Sequence, residues 1–248
     1  MNTNNLPTNA SLSGKIALVT GASKGIGKAI ALSLADAGAR VIASARSPDL
    51  LDAVVDEIAA RGGQAMAIPA DVAEESQVDN LFDLIDQTCD RLDILINNAG
   101  MGAYGQVIDF PIAEFDRIMA VNLRGVFLCC QQAMQIMAPQ KSGYIINISS
   151  VVGFKGYPNQ SAYTASKHAI MGLTKSLAAE AQAHGVRVSA VLPGGVDTEL
   201  ALNARPDLDR AELLQPLDIA QAVMYLLSLS EKAAVDEIYI RRRNARPF

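Results

Sequence analysis

The stretch KIALVTGASKGIGKAIALSLA, residues 15–35, predicts how the fold begins. Its first part, residues 15–20, contains a continuous apolar run, which is typical of a strand buried on both faces of a sheet. Glycines follow at positions 21, 25 and 27, and the residues after them carry helical spacing. Strand, glycine-rich turn and helix in this order predict the opening unit of a parallel sheet, with the turn at the carboxyl end of the strand.

The same alternation continues along the rest of the chain. Short apolar runs, many of them β-branched, predict six further strands at residues 40–45, 64–70, 92–100, 143–149, 186–195 and 234–240. Segments with helical spacing accompany them at residues 27–39, 50–63, 74–89, 113–137, 162–185 and 217–230. This order predicts an α/β fold: a single doubly wound domain with about seven parallel strands and helices on both faces. We assign residues 14–248 to the domain and residues 1–13 to a flexible tail.

Composition and charge exclude several classes of function. The 248 residues carry a net charge of −5 and no basic cluster beyond RRR at 241–243, which argues against a nucleic-acid partner. Cys89, Cys129 and Cys130 lack CxxC spacing and there are two histidines, so we expect neither a disulfide framework nor a metal site. The first residues lack the features of a signal peptide, and no apolar run reaches the roughly 18 residues of a membrane span. We therefore expect a cytoplasmic protein with no membrane partner.

The glycine turn predicts a dinucleotide site, with a tight structural turn as the alternative. Backbone N–H groups in such a turn can approach a pyrophosphate, and the positive end of the helix favours its charge. The strand at 40–45 ends on Ala45, followed by Arg46, near the position where NAD-binding folds carry an acidic residue. Because Arg46 and Lys24 offer cations to a 2′-phosphate, we predict that they clamp NADP(H); two solvated loop cations are the alternative.

The segment SAYTASKHA, residues 161–169, pairs a phenol with an ammonium. Tyr163 and Lys167 are four residues apart, so on a helix they lie on one face, a turn from each other. A neighbouring ammonium stabilises the phenolate and lowers the tyrosine pKa from about 10, which suits acid–base catalysis at neutral pH. We predict that the two act as one proton-transferring pair. Taken singly, each also has a structural explanation, as a buried tyrosine and as a lysine whose stem packs on apolar surface.

Together these motifs resemble those of the short-chain dehydrogenases/reductases. The resemblance covers residues from about 14 to 200 and rests on TGASKGIG (20–27), DV (71–72), NNAG (97–100), VNLRG (121–125), INISS (146–150), Tyr163-x-x-x-Lys167 and LPGGVDT (192–198). So many motifs in the family's order are highly specific. The resemblance implies a Rossmann fold and hydride transfer between a nicotinamide and a carbonyl or alcohol carbon, and the chain looks most like the 3-oxoacyl-[acyl-carrier-protein] reductases.

The resemblance also implies roles for individual residues. The family's catalytic set falls on Asn122, Ser150, Tyr163 and Lys167. Ser150 would polarise the substrate carbonyl, with Ser149 as a competing candidate that strand alternation and family spacing disfavour. Asn122, an amide with little structural purpose on a helix, would hold a water connecting Lys167 to solvent, and Lys167 would hold the nicotinamide ribose. The implied cofactor-binding residues are Gly21, Ser23, Lys24, Gly25, Ile26, Gly27, Arg46, Asp71, Val72, Asn98, Ala99, Gly100, Tyr163, Lys167, Pro193, Gly194, Val196 and Thr198.

Two features depart from the family pattern. The last residues, 234–248, lack the glycine pair that usually follows the final strand in the carrier-protein reductases, which puts the family's tetramer in doubt. We still expect a homo-oligomer, either a tetramer or a dimer. A basic patch for an acidic carrier protein has only loose candidates, namely Lys141, Arg124 and Arg205.

The substrate side of the site is less clearly marked in the sequence. Residues 199–215 lie between the sixth strand and the last helix, and we expect them to form a substrate lid. Phe154 and Tyr157 are expected to line the apolar side of the substrate pocket.

The predicted activity is NADPH-dependent reduction of a small-molecule carbonyl substrate, with a 3-oxoacyl thioester as the best single guess. One alternative is an NADP-dependent dehydrogenase of a small hydroxy acid, a sugar alcohol or a steroid-like alcohol. Another is a non-catalytic sensor of NADP. The complete set of four catalytic positions argues against the sensor, because a sensor has no need of proton-transfer groups.

Overall fold

A single parallel sheet organises the computed structural model, which describes residues 11–204 and 209–246. The strands stand in the order β3-β2-β1-β4-β5-β6-β7, and every neighbouring pair is parallel. Their bounds are β1 Ile16–Thr20, β2 Arg40–Ala45, β3 Gln64–Pro69, β4 Ile94–Asn97, β5 Gly143–Ile148, β6 Val186–Gly194 and β7 Glu237–Arg241. The predicted seven-stranded, doubly wound α/β fold is confirmed.

Helices cover both faces of this sheet. Within the described residues their bounds are α1 Gly25–Asp36, α2 Pro48–Ala60, α3 Glu75–Thr88, α4 Ile112–Met119, α5 Gly125–Gln140, α6 Ser161–Gln182, α7 Glu199–Ala204 and α8 Pro216–Ser228. None of them has both the length and the apolar character needed to cross a membrane.

Successive residues of β1 belong to two different cores. Ala17 and Val19 pack in the core formed with α1, α2 and α8, whereas Leu18 packs in the core formed with α3, α5 and α6. All three side chains are fully buried. This is why the strand is apolar at consecutive positions rather than at alternate ones.

The long helix expected at residues 113–137 is interrupted by a wider turn. Between α4 and α5, residues Ala120–Arg124 form a π-helical turn that holds Asn122. Such turns occur frequently at functional sites. The apolar periodicity predicts a helix here but does not reveal the widened turn.

Most of the expected tail, residues 1–13, lies outside the described residues. Residues 11–13 are described, and there Leu12 is buried in the core beside β1. Its backbone N–H donates a hydrogen bond to the carbonyl of Ala37, at 2.8 Å. The domain thus includes residues that the sequence assigned to the tail.

The sheet order reverses at β1, which has β2 on one side and β4 on the other. The chain leaves β1 through the glycine turn and leaves β4 through residues 98–100, so both segments meet outside the carboxyl ends of the strands. A crevice at such a reversal is where doubly wound folds bind their ligands.

Candidate active site

One cavity of about 970 Å³ lies along the carboxyl edge of the sheet. Its lining includes the glycine turn after β1 and the ends of β2, β4, β5 and β6. All of the predicted catalytic and cofactor-binding residues line this cavity except Gly27 and Asn122, which lie behind its wall. The fold therefore brings together residues that are up to 177 positions apart, from Gly21 to Thr198.

The glycine turn is held against the end of β4. Asn98 donates hydrogen bonds from its side-chain amide to the carbonyls of Thr20 and Gly21, both at 3.1 Å. The hydroxyl of Thr20 in turn accepts from the backbone N–H groups of Asn98 and Ala99. A Cβ on Gly27 would lie 2.2 Å from the Gly21 carbonyl oxygen, so no side chain fits there. Gly27 and Thr20 thus shape the turn from behind, a role that the sequence did not assign to Thr20.

Both residues of the expected phosphate clamp are in the cavity, and both have acidic partners there. Lys24 forms an ion pair with Glu199 at the start of α7. The guanidinium of Arg46 lies 4.0 Å from the carboxylate of Asp71. These pairs are solvent-exposed and therefore weak, so an anionic ligand can compete with the carboxylates for both cations.

Ser150 and Ser149 face different surroundings at the end of β5. Ser150 is hydrogen-bonded to the Tyr163 side chain, and its hydroxyl also lies 3.4 Å from the carbonyl of Pro193. The hydroxyl of Ser149 is buried and donates to the backbone carbonyl of Lys167 at 3.2 Å. Only Ser150 therefore pairs with the tyrosine, as the strand alternation predicts.

Tyr163 and Lys167 share one face of α6, and both are buried. The ammonium of Lys167 lies 5.8 Å from the centre of the Tyr163 ring and donates to the carbonyl of Ile148 at 3.0 Å. The predicted lowering of the tyrosine pKa is wrong in this structure. Burial raises the pKa of Tyr163 to about 12, against a smaller opposing effect of the Ser150 hydrogen bond. Burial also lowers the pKa of Lys167 to about 8, because desolvation disfavours the charged form of each group.

Asn122 has a structural purpose, contrary to the sequence argument. Its amide is fully buried, accepts from the backbone N–H of Met101 at 2.8 Å and donates to the Met101 carbonyl at 2.9 Å. It also donates to the hydroxyl of Ser166, which donates to the carbonyl of Tyr163. Asn122 therefore links the segment after β4 to α6, the helix that carries Tyr163 and Lys167. Its expected role in a water-mediated proton path stays a prediction.

The model of the family described as short chain dehydrogenase matches residues 15–209. This span includes the glycine turn, Ser150 and the Tyr163–Lys167 pair. The chain belongs to the short chain dehydrogenase family. It is an oxidoreductase enzyme of that family, whose members use a nicotinamide cofactor.

Individual relatives agree with this assignment. A 3-oxoacyl-[acyl-carrier-protein] reductase of Synechocystis is 42% identical over 221 residues, which cover 87% of this chain and 90% of the relative. A short-chain dehydrogenase/reductase crystal structure from Mycobacterium marinum is 39% identical with a TM-score of 0.87, covering 93% and 95% of the two chains. A metagenomic short-chain oxidoreductase in complex with NADP is 36% identical with a TM-score of 0.84, covering 95% and 100%.

The far wall of the cavity in this short chain dehydrogenase contains residues that the sequence did not indicate. The last strand and the segment after it contribute Tyr239, Arg241 and Arg242 to the lining. Tyr104 also lines the cavity and packs edge-to-face on Tyr163, with ring centres 5.9 Å apart. The parallel register of β7 beside β6 brings Tyr239 and Arg241 to the cavity, and neither was predicted from the sequence as a site residue.

Of the two aromatic residues expected on the apolar side, one lines the cavity. Tyr157 does, together with its neighbour Lys155. Phe154 is exposed and packs instead on the ring of Tyr239, with centres 6.1 Å apart, so its predicted place in the lining is wrong.

The two described candidates for a carrier-protein patch, Lys141 and Arg124, do not line the cavity. Lys141 follows α5, and its carbonyl lies against Gly185 before β6, at the amino edge of the sheet opposite the cavity. Arg124 forms an ion pair with Glu75 and donates to the carbonyl of Ala73. Arg205 lies outside the described residues.

The described part of the expected lid borders the cavity. Residues of α7 line the cavity, and Arg210, just after the gap in the described residues, makes a bidentate contact with Asp197 at 3.0 and 3.1 Å. Its movement as a lid stays a prediction.

The adjacent cysteines of α5 belong to the core. Cys129 and Cys130 are buried, and burial raises the pKa of both thiols, that of Cys129 to about 12. In the described part of the chain, no cluster of three or more His, Cys, Asp or Glu residues is arranged to hold a metal ion.

Proposed function

We propose that this short chain dehydrogenase is an NADPH-dependent carbonyl reductase, with 3-oxoacyl thioesters as the leading substrate class. The observation that carries the proposal is the convergence of Ser150, Tyr163 and Lys167 in the same cavity as the glycine turn. The identity to the Synechocystis reductase supports the substrate class.

The residues present fit a nicotinamide dinucleotide. The cavity runs from Arg46 after β2, past the glycine turn, to Tyr163 and Lys167. At the turn, Gly25 leaves bare backbone at the start of α1, where a Cβ would lie 3.2 Å from Thr198. This is a cradle for a pyrophosphate at a helix N-terminus. When bound there, the reduced cofactor supplies the hydride.

The protein's own contribution is to hold the carbonyl and to deliver a proton. The Ser150 hydroxyl donates a hydrogen bond to the carbonyl oxygen and stabilises the charge that develops on it. With a pKa of about 12, Tyr163 is fully protonated at neutral pH and donates its proton to the same oxygen. An alkoxide is a much stronger base than a phenolate, so this transfer is favourable. The phenolate that remains is then stabilised by the Lys167 ammonium.

The proposed choice of NADP(H) over NAD(H) depends on the adenosine end of the cavity. Lys24 and Arg46 line it, and the carboxylate of Asp71, two residues after the end of β3, lies beside Arg46. A 2′-phosphate carries nearly two negative charges and three acceptor oxygens, to which the cations of Lys24 and Arg46 would bind. The NADP complex of the metagenomic relative supports this choice.

The proposal is tested by incubating the protein with NADPH and a panel of ketones and 3-oxoacyl thioesters. Loss of the absorbance of the reduced nicotinamide reports turnover, and NADH in place of NADPH reports the cofactor preference. We expect turnover, fastest with 3-oxoacyl thioesters, and a clear preference for NADPH. Tight binding of NADPH with no turnover of any carbonyl compound would contradict the proposal and favour a sensor of the cofactor.

We also propose that the protein is a homo-oligomer, tetrameric or dimeric. Large apolar side chains that the described chain leaves exposed, among them Ile108, Ile112 and Phe127, support an association between copies. Light scattering during gel filtration tests this, and a purely monomeric mass would contradict it. The cytoplasmic location stays a prediction.

A further inference from the structure

In the cavity wall, the described acidic side chains all have cationic partners, but not all of the cations have acidic ones. Its acidic side chains among the described residues are Asp71, Asp197 and Glu199, and each lies beside a cation: Arg46, Arg210 and Lys24 respectively. Two cations of the far wall, Lys155 and Arg241, have no carboxylate partner in the described part of the chain. The far wall therefore carries positive charge that the described protein does not neutralise.

Of these two cations, Lys155 is the one that is held close to Ser150. It lies five residues after Ser150, and its backbone N–H donates to the carbonyl of Val151, which fixes the segment close to the catalytic serine. Its ammonium is 5.7 Å from the centre of the Tyr239 ring and interacts with the hydroxyl groups of Tyr239 and Tyr157. Hydrogen bonding to Tyr239, above all, raises the pKa of Lys155, so the ammonium stays charged throughout the neutral range.

The last strand places the second cation on the same wall. Gly194 of β6 pairs with Arg241 of β7, and Tyr239 is two residues before Arg241. Residues two apart in a strand project to the same side of the sheet. Tyr239 and Arg241 both line the cavity, as expected from this register. The ammonium of Lys155 and the guanidinium of Arg241 thus belong to one wall.

The segment after β7 is fixed by its own contacts. Arg241 donates from one guanidinium nitrogen to the carbonyls of Arg242, Arg243 and Ala245, which curls this segment beside the cavity. The side chain of Arg242 packs against Gly195, whose Cβ would lie 3.0 Å from it, and reaches Glu212 at 3.4 Å. The wall is therefore preorganised, which reduces the entropic cost of binding a ligand.

We propose that Lys155 and Arg241, with the hydroxyl of Tyr157, form a subsite for an oxyanion on the substrate. The substrate is then a carbonyl compound that carries a carboxylate or a phosphate away from the reacting carbon. This inference rests on the proposed reductase function, because it assumes that the carbonyl is held at Ser150 and Tyr163. An ammonium and a guanidinium beside a phenolic hydroxyl offer an oxyanion several charge-assisted hydrogen bonds.

The test uses three substrates that share one reacting ketone. Ethyl acetoacetate is neutral, acetoacetate carries a carboxylate, and acetoacetyl-CoA carries phosphates. The variants are Lys155→Met, which keeps the length of the side chain without its charge, and Lys155→Arg, which keeps the charge. Lys232→Met is the matched control, since Lys232 is exposed in the segment after α8, outside the cavity.

The readout is the kcat/KM for each anionic substrate divided by that for the neutral ester. In Lys155→Met we expect this ratio to fall about 10- to 100-fold, through KM, as loss of a charged hydrogen bond predicts. Lys155→Arg restores most of the ratio, and Lys232→Met leaves it at the wild-type value. A selective fall for acetoacetate identifies a carboxylate as the ligand, and a selective fall for acetoacetyl-CoA identifies a phosphate. An unchanged ratio in Lys155→Met for both anions would overturn the proposal.

The same experiment separates this inference from the proposed reductase function. If the wild-type protein reduces none of the three ketones, the reductase function fails. The subsite is then tested by titrating acetoacetate and acetoacetyl-CoA into the NADP⁺-bound protein in a calorimeter. Weaker binding to Lys155→Met than to Lys232→Met supports the subsite, and equal affinity for both anions contradicts it.

Discussion

Tyr163 and Lys167 form the floor of the cavity, and Asn122 lies directly behind it; all three residues are buried and held by hydrogen bonds. The rim at the cofactor end is held by ion pairs, of which Lys24–Glu199 leaves 63% and 73% of its two side chains exposed. Buried hydrogen bonds are costly to break, whereas exposed ion pairs are worth about 1 kcal/mol or less. We infer that the buried hydrogen bonds hold the proposed proton-transfer residues in fixed positions. The exposed cations at the rim, in contrast, can exchange their carboxylate partners for an anionic ligand.

The largest effect on stability is expected from the floor. Asn122→Ala removes an amide that serves both polar groups of Met101 and the hydroxyl of Ser166. Because the partly buried polar groups of Met101 and the buried hydroxyl of Ser166 lose this partner, the free energy of unfolding should fall by roughly 3 kcal/mol. Denaturant unfolding measures it.

The control for this variant is Gln131→Ala, which truncates an exposed amide on α5. We expect it to change the unfolding free energy by no more than about 0.5 kcal/mol. Equal stability of the two variants would mean that the floor is not preorganised by Asn122.

At the rim, Arg46→Asp should change the choice of cofactor. The substitution removes a cation from the proposed phosphate site and puts a carboxylate in its place. The Kd for NADPH divided by the Kd for NADH should rise by roughly 100-fold, because charged hydrogen bonds to the phosphate are lost and the new carboxylate repels it. Fluorescence titration with each cofactor measures the ratio.

Arg61→Asp is the control, because Arg61 follows α2 and pairs with Asp36 outside the cavity. Its cofactor ratio should equal that of the wild type. If Arg46→Asp also keeps the wild-type ratio, Arg46 has no part in a clamp and the rim does not select the cofactor.

The smallest effect tests whether the rim exchanges partners. Glu199→Gln removes the carboxylate that pairs with Lys24, so Lys24 becomes available for the cofactor phosphate. NADPH should bind more tightly, by up to about fivefold at low salt, since exposed pairs are weak. Glu237→Gln, which removes the partner of Lys175 outside the cavity, should leave the Kd unchanged. Weaker binding of NADPH to Glu199→Gln would show that Glu199 supports the site rather than competes for Lys24.

The sequence predicts the floor better than the walls. Strand runs that are apolar at consecutive positions predict the parallel sheet, and the four-residue spacing places Tyr163 and Lys167 on one face of α6. The spacing does not predict how deeply the two side chains are buried, however, and burial raises the pKa of Tyr163 instead of lowering it. The far wall could not be predicted for another reason. Arg241 reaches the cavity through the pairing of β7 with β6, and the sequence of β7 does not specify that register.

The account depends most on Tyr163 as the proton donor, and Tyr163→Phe tests this directly. Measured at pH 7, below the pKa of about 8 at which Lys167 loses its charge, kcat for ketone reduction should fall by roughly a thousandfold. The Kd for NADPH should stay within about twofold of the wild-type value, because the change removes one hydroxyl that the cofactor phosphates do not need. Tyr104→Phe, which removes a hydroxyl from the neighbouring ring in the same cavity, should lose less than about tenfold in kcat. A Tyr163→Phe protein that keeps a tenth or more of the wild-type kcat would contradict the account.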